Sequence, residues 1–219
     1  MAKIEPSHAG MEIVSFVLGP VMTNAYLIAD HATKEAAVID PAWDREVIVE
    51  AAHQRGWDIR HIWLTHAHFD HIGGAAAVAR LSNPAPQIAL HPADRLLWSY
   101  QGGAPLFGMR IEQAPEPAII LEHGQCLQLG SFALEVRHTP GHTPGHVLFY
   151  CASQGVMFCG DVIFMGSIGR TDLPGGSYET LMNSIRTQVL TLPDETRLLS
   201  GHGEPTTIGQ EKQWNPFLS

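Results

Sequence analysis

The residues with the densest chemistry are His66, His68, Asp70 and His71, in the run His66-Ala67-His68-Phe69-Asp70-His71. Four nitrogen or oxygen donors within six positions suit zinc or a similar divalent metal. On an extended segment, residues two apart point the same way. His66, His68 and Asp70 can therefore converge, while His71 points elsewhere and is free to serve a neighbouring centre. The run lies between an apolar stretch at 61–64 and a helical pattern at 72–81. Sites in α/β sheets form at such junctions. Gly73-Gly74 lets backbone approach closely at the helix start. Read as a plain polar turn, the run would bury several partly charged side chains without compensation, which is costly.

Further candidates follow along the chain. His138, His142 and His146 stand four apart in His138-Thr-Pro-Gly-His142-Thr-Pro-Gly-His146. That spacing suggests a helix face, but Pro140, Gly141, Pro144 and Gly145 exclude a regular helix. The segment is a loop, and spacing does not say which ring points inward. Asp161 follows an apolar strand in Phe158-Cys159-Gly160-Asp161, and His202 follows another in Ser200-Gly201-His202-Gly203. Either alone would be an ordinary turn residue. Beside the two clusters they supply the shared carboxylate and extra imidazole that two metals need. His8, His31, His53, His61, His91 and His123 read as surface or satisfied core histidines.

Positioning these residues requires apolar strands that end at them. Strands are expected at 12–18, 24–29, 36–39, 61–64, 87–90, 132–137, 147–151, 156–158 and 197–200. Helices are expected at 44–55, capped by Asp44 and ended by Gly56, then at 72–81, 92–99 and 178–190, the last capped by Ser177. Residues 101–118 hold Pro105, Pro115, Pro117, Gly102, Gly103 and Gly108, too long for an ordinary connection and a candidate lid. Two sheets face to face with helices outside would bury strands this apolar.

Composition narrows the function. The chain has 219 residues, a formal charge of −9, and 13 histidines, as many as its lysines and arginines together. Charged residues make up 16%, against about 25% for an ordinary soluble domain, so histidine holds an unusual share of the polar positions. The length and the absence of a composition shift indicate one domain over 1–219. The negative charge argues against nucleic acid as a partner. No apolar run approaches the roughly 18 residues of a membrane span, and no apolar signal core follows Lys3, so a cytoplasmic protein is expected. Cys126, Cys151 and Cys159 are odd in number and fit buried thiols in a reducing compartment.

Taken together, the H-x-H-x-D-H run at 66–71, T-P-G-H-T-P-G-H at 139–146, Gly160-Asp161 and Gly201-His202 resemble the metallo-β-lactamase superfamily over essentially the whole chain. The resemblance implies a four-layer αββα sandwich of the α/β (α+β) class, with its site where the sheets meet. Gly166-Ser167-Ile168-Gly169-Arg170-Thr171-Asp172, Gly201-His202-Gly203-Glu204-Pro205-Thr206-Thr207 and Asn215-Pro216-Phe217 are most similar to the short bacterial glyoxalase II-like hydrolases. By that resemblance His66, His68 and His142 hold one divalent ion, Asp70, His71 and His202 a second, and Asp161 bridges them. Zinc is the expected metal, with iron or manganese as alternatives. His146 is then structural or outside the ligand shell, and His138 is not a ligand. The implied reaction is attack of a metal-bridging hydroxide on an acyl thioester such as S-lactoylglutathione, with Asp70 and Asp161 catalytic and Arg170 gripping a substrate carboxylate. The chain ends soon after His202, where the long glyoxalase II form has a further glutathione-binding helical domain, so tight glutathione recognition is not expected.

Two other branches of the superfamily are rivals: an iron persulfide dioxygenase, with His68, His142 and Asp161 on one iron, and a lactonase. A metal-binding module without turnover is the reading from another class, and the intact ligand set argues against it.

Overall fold

The structure is a computed structural model and describes residues 3–5, 10–43 and 46–218; the expected Asp44 cap and His8 lie outside the described residues. The first sheet runs in chain order through β1 (Lys3–Glu5), β2 (Met11–Leu18), β3 (Thr23–Asp30), β4 (Glu35–Ile39), β5 (Asp58–Trp63), β6 (Gln87–Leu90) and β7 (Ile119–Ile120). Strands β1–β4 pair antiparallel, and β4–β7 pair parallel. The parallel steps need crossovers. Helix α1 (Glu46–Arg55) leads into β5, α2 (Phe69–Ile72) and α3 (Ala75–Leu81) lead into β6, and α4 (Arg95–Ser99) lies beyond it.

The second sheet contains β8 (Cys126–Leu129), β9 (Phe132–His138), β10 (Val147–Cys151) and β11 (Val156–Gly160). A small ribbon, β12 (Ile163–Phe164) with β13 (Ser167–Ile168), follows, then α5 (Tyr178–Ser184), β14 (Arg197–Ser200), β15 (Thr206–Thr207) and α6 (Ile208–Trp214). The sheet order is β15-β14-β11-β10-β9-β8, with β11 and β14 parallel.

Alternation along the strands makes three cores from two sheets. Ile13, Ile28, Phe149 and Phe158 meet between the sheets. Val14, Leu27 and Val38 turn outward against Ile48 of α1 and Val78 of α3. Leu148, Met157 and Leu198 turn the other way against Leu181 of α5 and Ile208 of α6. This is the four-layer αββα sandwich expected from the sequence.

Local departures have physical causes. The expected helix at 72–81 is broken at Gly73-Gly74, because Gly74 donates to Pro41 O at 2.6 Å and a side chain there would collide with the Ala42 carbonyl. The helix at 178–190 loosens after Ser184 into wide turns over Ile185–Val189. Cys151 and Cys159 are buried free thiols, but Cys126, expected to be buried, is exposed on the edge strand β8. Within 101–118, the chain kinks at Gln101, Gly102 and Gly103, all at positive φ, and Gly102, Gly103 and Ala104 are buried. No helix among the described residues is long and apolar enough to cross a membrane.

Asp30, at the end of β3, ties the sheets together. Its carboxylate accepts from Ser131 N at 2.7 Å and Ser131 Oγ at 2.9 Å in the β8–β9 turn, and from Ala32 N at 2.7 Å. Burial would raise its pKa, but these donors hold it below the ordinary value. The stabilisation is therefore present above the unfolded pKa of about 3.9 and lost as pH falls through the lower folded value. Asp30→Ala should cost about 1–3 kcal/mol in urea unfolding at pH 7. The gap to the parent should close as the pH is lowered through the carboxylate range.

Candidate metal centre

The centre forms where strands of both sheets end. After β5, Thr65 is fixed by Asp40, which follows β4: Thr65 N and Oγ1 donate to its two carboxylate oxygens at 2.8 and 2.7 Å. Asp40 sits at φ 50°, a left-handed conformation that Asp tolerates better than most residues. The chain stays extended through His68 and turns helical at Phe69. The period-two reading therefore stops at His68. Asp70 faces with His71 toward His202, not with His66 and His68.

Among the described residues, the donor atoms form three overlapping groups, one of which, Asp40 with His66 and His71, is already closed by the bonds of Asp40 to Thr65 and His71 Nδ1; the other two are open trios. The donor atoms of His66, His68 and His142 lie within 4.8 Å of one another, as do those of Asp70, His71 and His202. Asp161 lies between: Oδ1 is 3.3 Å from His71 Nε2, and Oδ2 is 3.6 Å from both His142 Nε2 and His202 Nε2. Asp70 Oδ2 is 3.3 Å from His202 Nε2 and accepts from Thr23 Oγ1 at 3.0 Å.

Hydrogen bonds behind the rings fix which nitrogen faces the centre. Thr65 Oγ1 donates to Asp40, so it accepts from His66 Nδ1 at 2.9 Å and leaves His66 Nε2 bare. His71 Nδ1 donates to Asp40 Oδ2 at 2.9 Å, and His142 Nδ1 donates to the Arg170 carbonyl at 2.8 Å. Such partners orient metal-ligating imidazoles.

The buried His66 Nε2 has no hydrogen-bond partner, and the buried His71 Nε2 and Asp161 Oδ1 face each other at 3.3 Å as an ion pair without hydrogen-bond geometry. His68 Nδ1 and His142 Nε2 face each other at 2.8 Å, a separation that needs a proton or a cation between them. Orphaned donors aimed at one small volume, in an imidazole and carboxylate set, fit divalent metal ions.

The electrostatics differ between the two trios. Burial, reinforced by neighbouring rings, holds His66 well below its ordinary pKa and His68 at about 3. Both are thus neutral, as a ligand must be. Burial would raise Asp70 and Asp161, yet His71 and His202 hold Asp70 at about 2 and Asp161 well below the carboxylate range. Burial would likewise lower His71 and His202, but Asp161 and Asp70 push His71 well up and His202 to about 9, so a metal ion entering the second trio displaces protons from these rings.

The remaining candidates sit around the trios. His146 is fully buried; its Nε2 accepts from Asp161 N at 3.0 Å and its Nδ1 faces Thr139 Oγ1 at 3.2 Å, so it holds the Asp161 backbone. His138 lies away from the centre, stacked on His91 at 4.1 Å and donating to the Pro144 carbonyl. Arg170 reaches the centre only through its carbonyl. Its exposed guanidinium makes a bidentate pair with Asp172, both bonds 2.8 Å.

Sequence reasoning missed Thr23, Asp40 and Asp94. Asp40 carries the signal that marked Asp161, an aspartate directly after an apolar strand. Thr23 and Asp94 carry none.

The Metallo-beta-lactamase superfamily signature matches residues 18–202. The chain belongs to this superfamily. It is 41% identical over 199 residues to hydroxyacylglutathione hydrolase GloC of Haemophilus influenzae, covering 90% of this chain and 92% of that one. The crystal structure of BLEG-1 B3 metallo-beta-lactamase superposes with a TM-score of 0.87 at 41% identity, covering 94% of this chain and 98% of the other. TTHA1623, in a di-iron-bound form, gives 0.84 at 38% identity, with coverage of 93% and 99%.

The centre leaves no room at Gly201. A Cβ there would collide with Asp161 Oδ1 and lie 2.6 Å from His71 Cε1. Gly201→Ala should therefore displace the carboxylate between the trios. Elemental analysis should show reduced metal per chain, and unfolding should show a loss of about 1–3 kcal/mol from overpacking.

Proposed function

We propose that the chain is a metal-dependent hydrolase of acyl thioesters, with S-lactoylglutathione as the first substrate to test. The observation that carries this reading is the pair of donor trios with the Asp161 carboxylate between them. The likeness to GloC supports the choice of substrate.

His66, His68 and His142 would hold one divalent ion and Asp70, His71 and His202 the other, with Asp161 between; zinc is proposed, with iron or manganese as alternatives. When bound, such ions supply Lewis acidity and make hydroxide available at neutral pH. Asp161 is kept anionic by the surrounding imidazoles, so it serves as a ligand and not as an acid. Asp70, anchored by Thr23 Oγ1, orients the nucleophile.

A cysteine nucleophile is not part of this scheme. Cys159 is buried, its thiol is pushed up by burial, and it donates to Met157 O. Arg170 would grip a substrate carboxylate by exchanging it for Asp172. The proposed setting is the cytoplasm, with a small acyl thioester, glutathione-linked in the first instance, as the partner.

The di-iron-bound form of TTHA1623 keeps iron open as the metal, and the alternative reading is a persulfide dioxygenase with a single iron. His68, His142 and Asp161 do stand together here. A one-iron enzyme, however, leaves the Asp70, His71 and His202 trio without a task.

Asp161→Ala and His142→Ala should each lower metal content and the rate of thioester hydrolysis together. Full metal and full rate in either variant would remove that residue from the centre. Arg170→Ala should raise KM for acidic thioesters and leave kcat nearly unchanged. Oxygen uptake with glutathione persulfide, without thioester turnover, would select the dioxygenase; lactone turnover alone would select the lactonase.

A further inference from the structure

Asp94 is fully buried and forms no ion pair among the described residues. It stands at the N-cap position of α4, where an aspartate ordinarily accepts from its own helix, yet its side chain makes no capping bond. All of its hydrogen bonds go elsewhere. Oδ2 accepts from Ala67 N at 3.0 Å and from Thr143 Oγ1 at 2.8 Å, and Oδ1 accepts from Gly145 N at 2.6 Å. Ala67 lies between His66 and His68, and Thr143 directly follows His142.

One carboxylate thus bridges the two loops that carry the first trio. The close approach also accounts for Gly145: a Cβ there would lie 2.7 Å from Asp94 Cγ. Charge-assisted bonds of this kind are roughly twice as strong as neutral ones, so a buried carboxylate with three donors makes a stiff joint.

We propose that Asp94 is a positioning residue for the His66, His68 and His142 trio, fixing the distance between its two loops before any metal arrives. The proposal rests on the two-trio reading above. The other trio is held by different groups. Thr23 anchors Asp70, Asp40 anchors His71, and Asn24 Nδ2 donates to Ser200 O and Gly203 O on either side of His202. Losing Asp94 should therefore injure one metal site and spare the other, which a general loss of stability would not do.

The test is a Co2+ titration of the full-length metal-free protein, followed by visible absorption against a competing chelator. The parent should bind two ions in resolvable steps, and His202→Ala should remove the step that belongs to the second trio. Asp94→Asn keeps the size of the side chain but presents an amide to donors. It should weaken the other step by about 10–100-fold, the usual cost of losing an outer partner of a metal ligand. The His202-dependent step should stay as in the parent. Both steps unchanged, or both weakened alike, overturns the proposal.

Should Asp94→Asn fail to fold, judged by circular dichroism, Thr143→Val carries the test. It removes one donor to the same carboxylate and should weaken the same step by a smaller factor; an unaltered titration overturns the proposal. A parent that does not bind two ions overturns the two-trio reading itself, and the proposal with it.

Discussion

The carboxylate of Asp161 meets rings from three separate segments, His71, His142 and His202, and much of the molecule is arranged so that those segments can reach it. Parallel pairing of β11 with β14 sets the ends of two strands side by side, and Gly201 N donates to Gly160 O at 2.8 Å across the join. Glycine recurs because backbone and carboxylate share a small volume. Side chains at Gly160, Gly169 and Gly201 would collide with Thr65, with the Asp161 carbonyl and with the Asp161 carboxylate respectively. The glycines flanking the metal motifs are thus consequences of how tightly the centre is packed.

A second constraint is electrostatic. Buried charges must be compensated, and here they compensate one another. Two carboxylates are held ionised by His71 and His202, while His66, His68 and His146 are held neutral by burial and by neighbouring rings, His142 and His71 among them. The neutral set is balanced only locally. His66 Nε2 still points at nothing, and His68 and His142 still face each other nitrogen to nitrogen. A cation would satisfy His66 Nε2 and could replace the proton shared by His68 and His142, whereas a proton on His66 Nε2 would charge a ring that burial keeps neutral.

Much of this was legible in the sequence, for a physical reason. Ligand clusters and strand ends are local features, and the apolar runs before His66, Asp161 and His202 marked both. What the sequence hid was nonlocal or locally ambiguous. Alternation could not reveal that the chain turns helical at Phe69, which moves Asp70 across to His71. Asp94 looked like an ordinary residue in a short helix, because its partners lie 27 to 51 positions away. Strand β8, only Cys126–Leu129 with alternating exposed and buried residues, and helix α6, only Ile208–Trp214, are too short to stand out from turns. The break at Gly73-Gly74 depends on carbonyls of Pro41 and Ala42 that no local pattern announces.

The same division applies to function. On the proposed function, the centre would supply the means of hydrolysis and selectivity among acyl groups would fall to the loops around it. Arg170 illustrates the limit. Its pair with Asp172 is exposed on both sides, so water screens it and it contributes little. Exchanging Asp172 for a substrate carboxylate is therefore nearly neutral in open solvent, and Asp172, two residues away, is always at hand to compete. Arg170 can discriminate strongly only if a bound substrate, by covering the pair, removes water and makes its bidentate geometry count. On the proposed function, affinity for an acidic thioester through this residue would thus depend on the bulk of the substrate as well as on its charge.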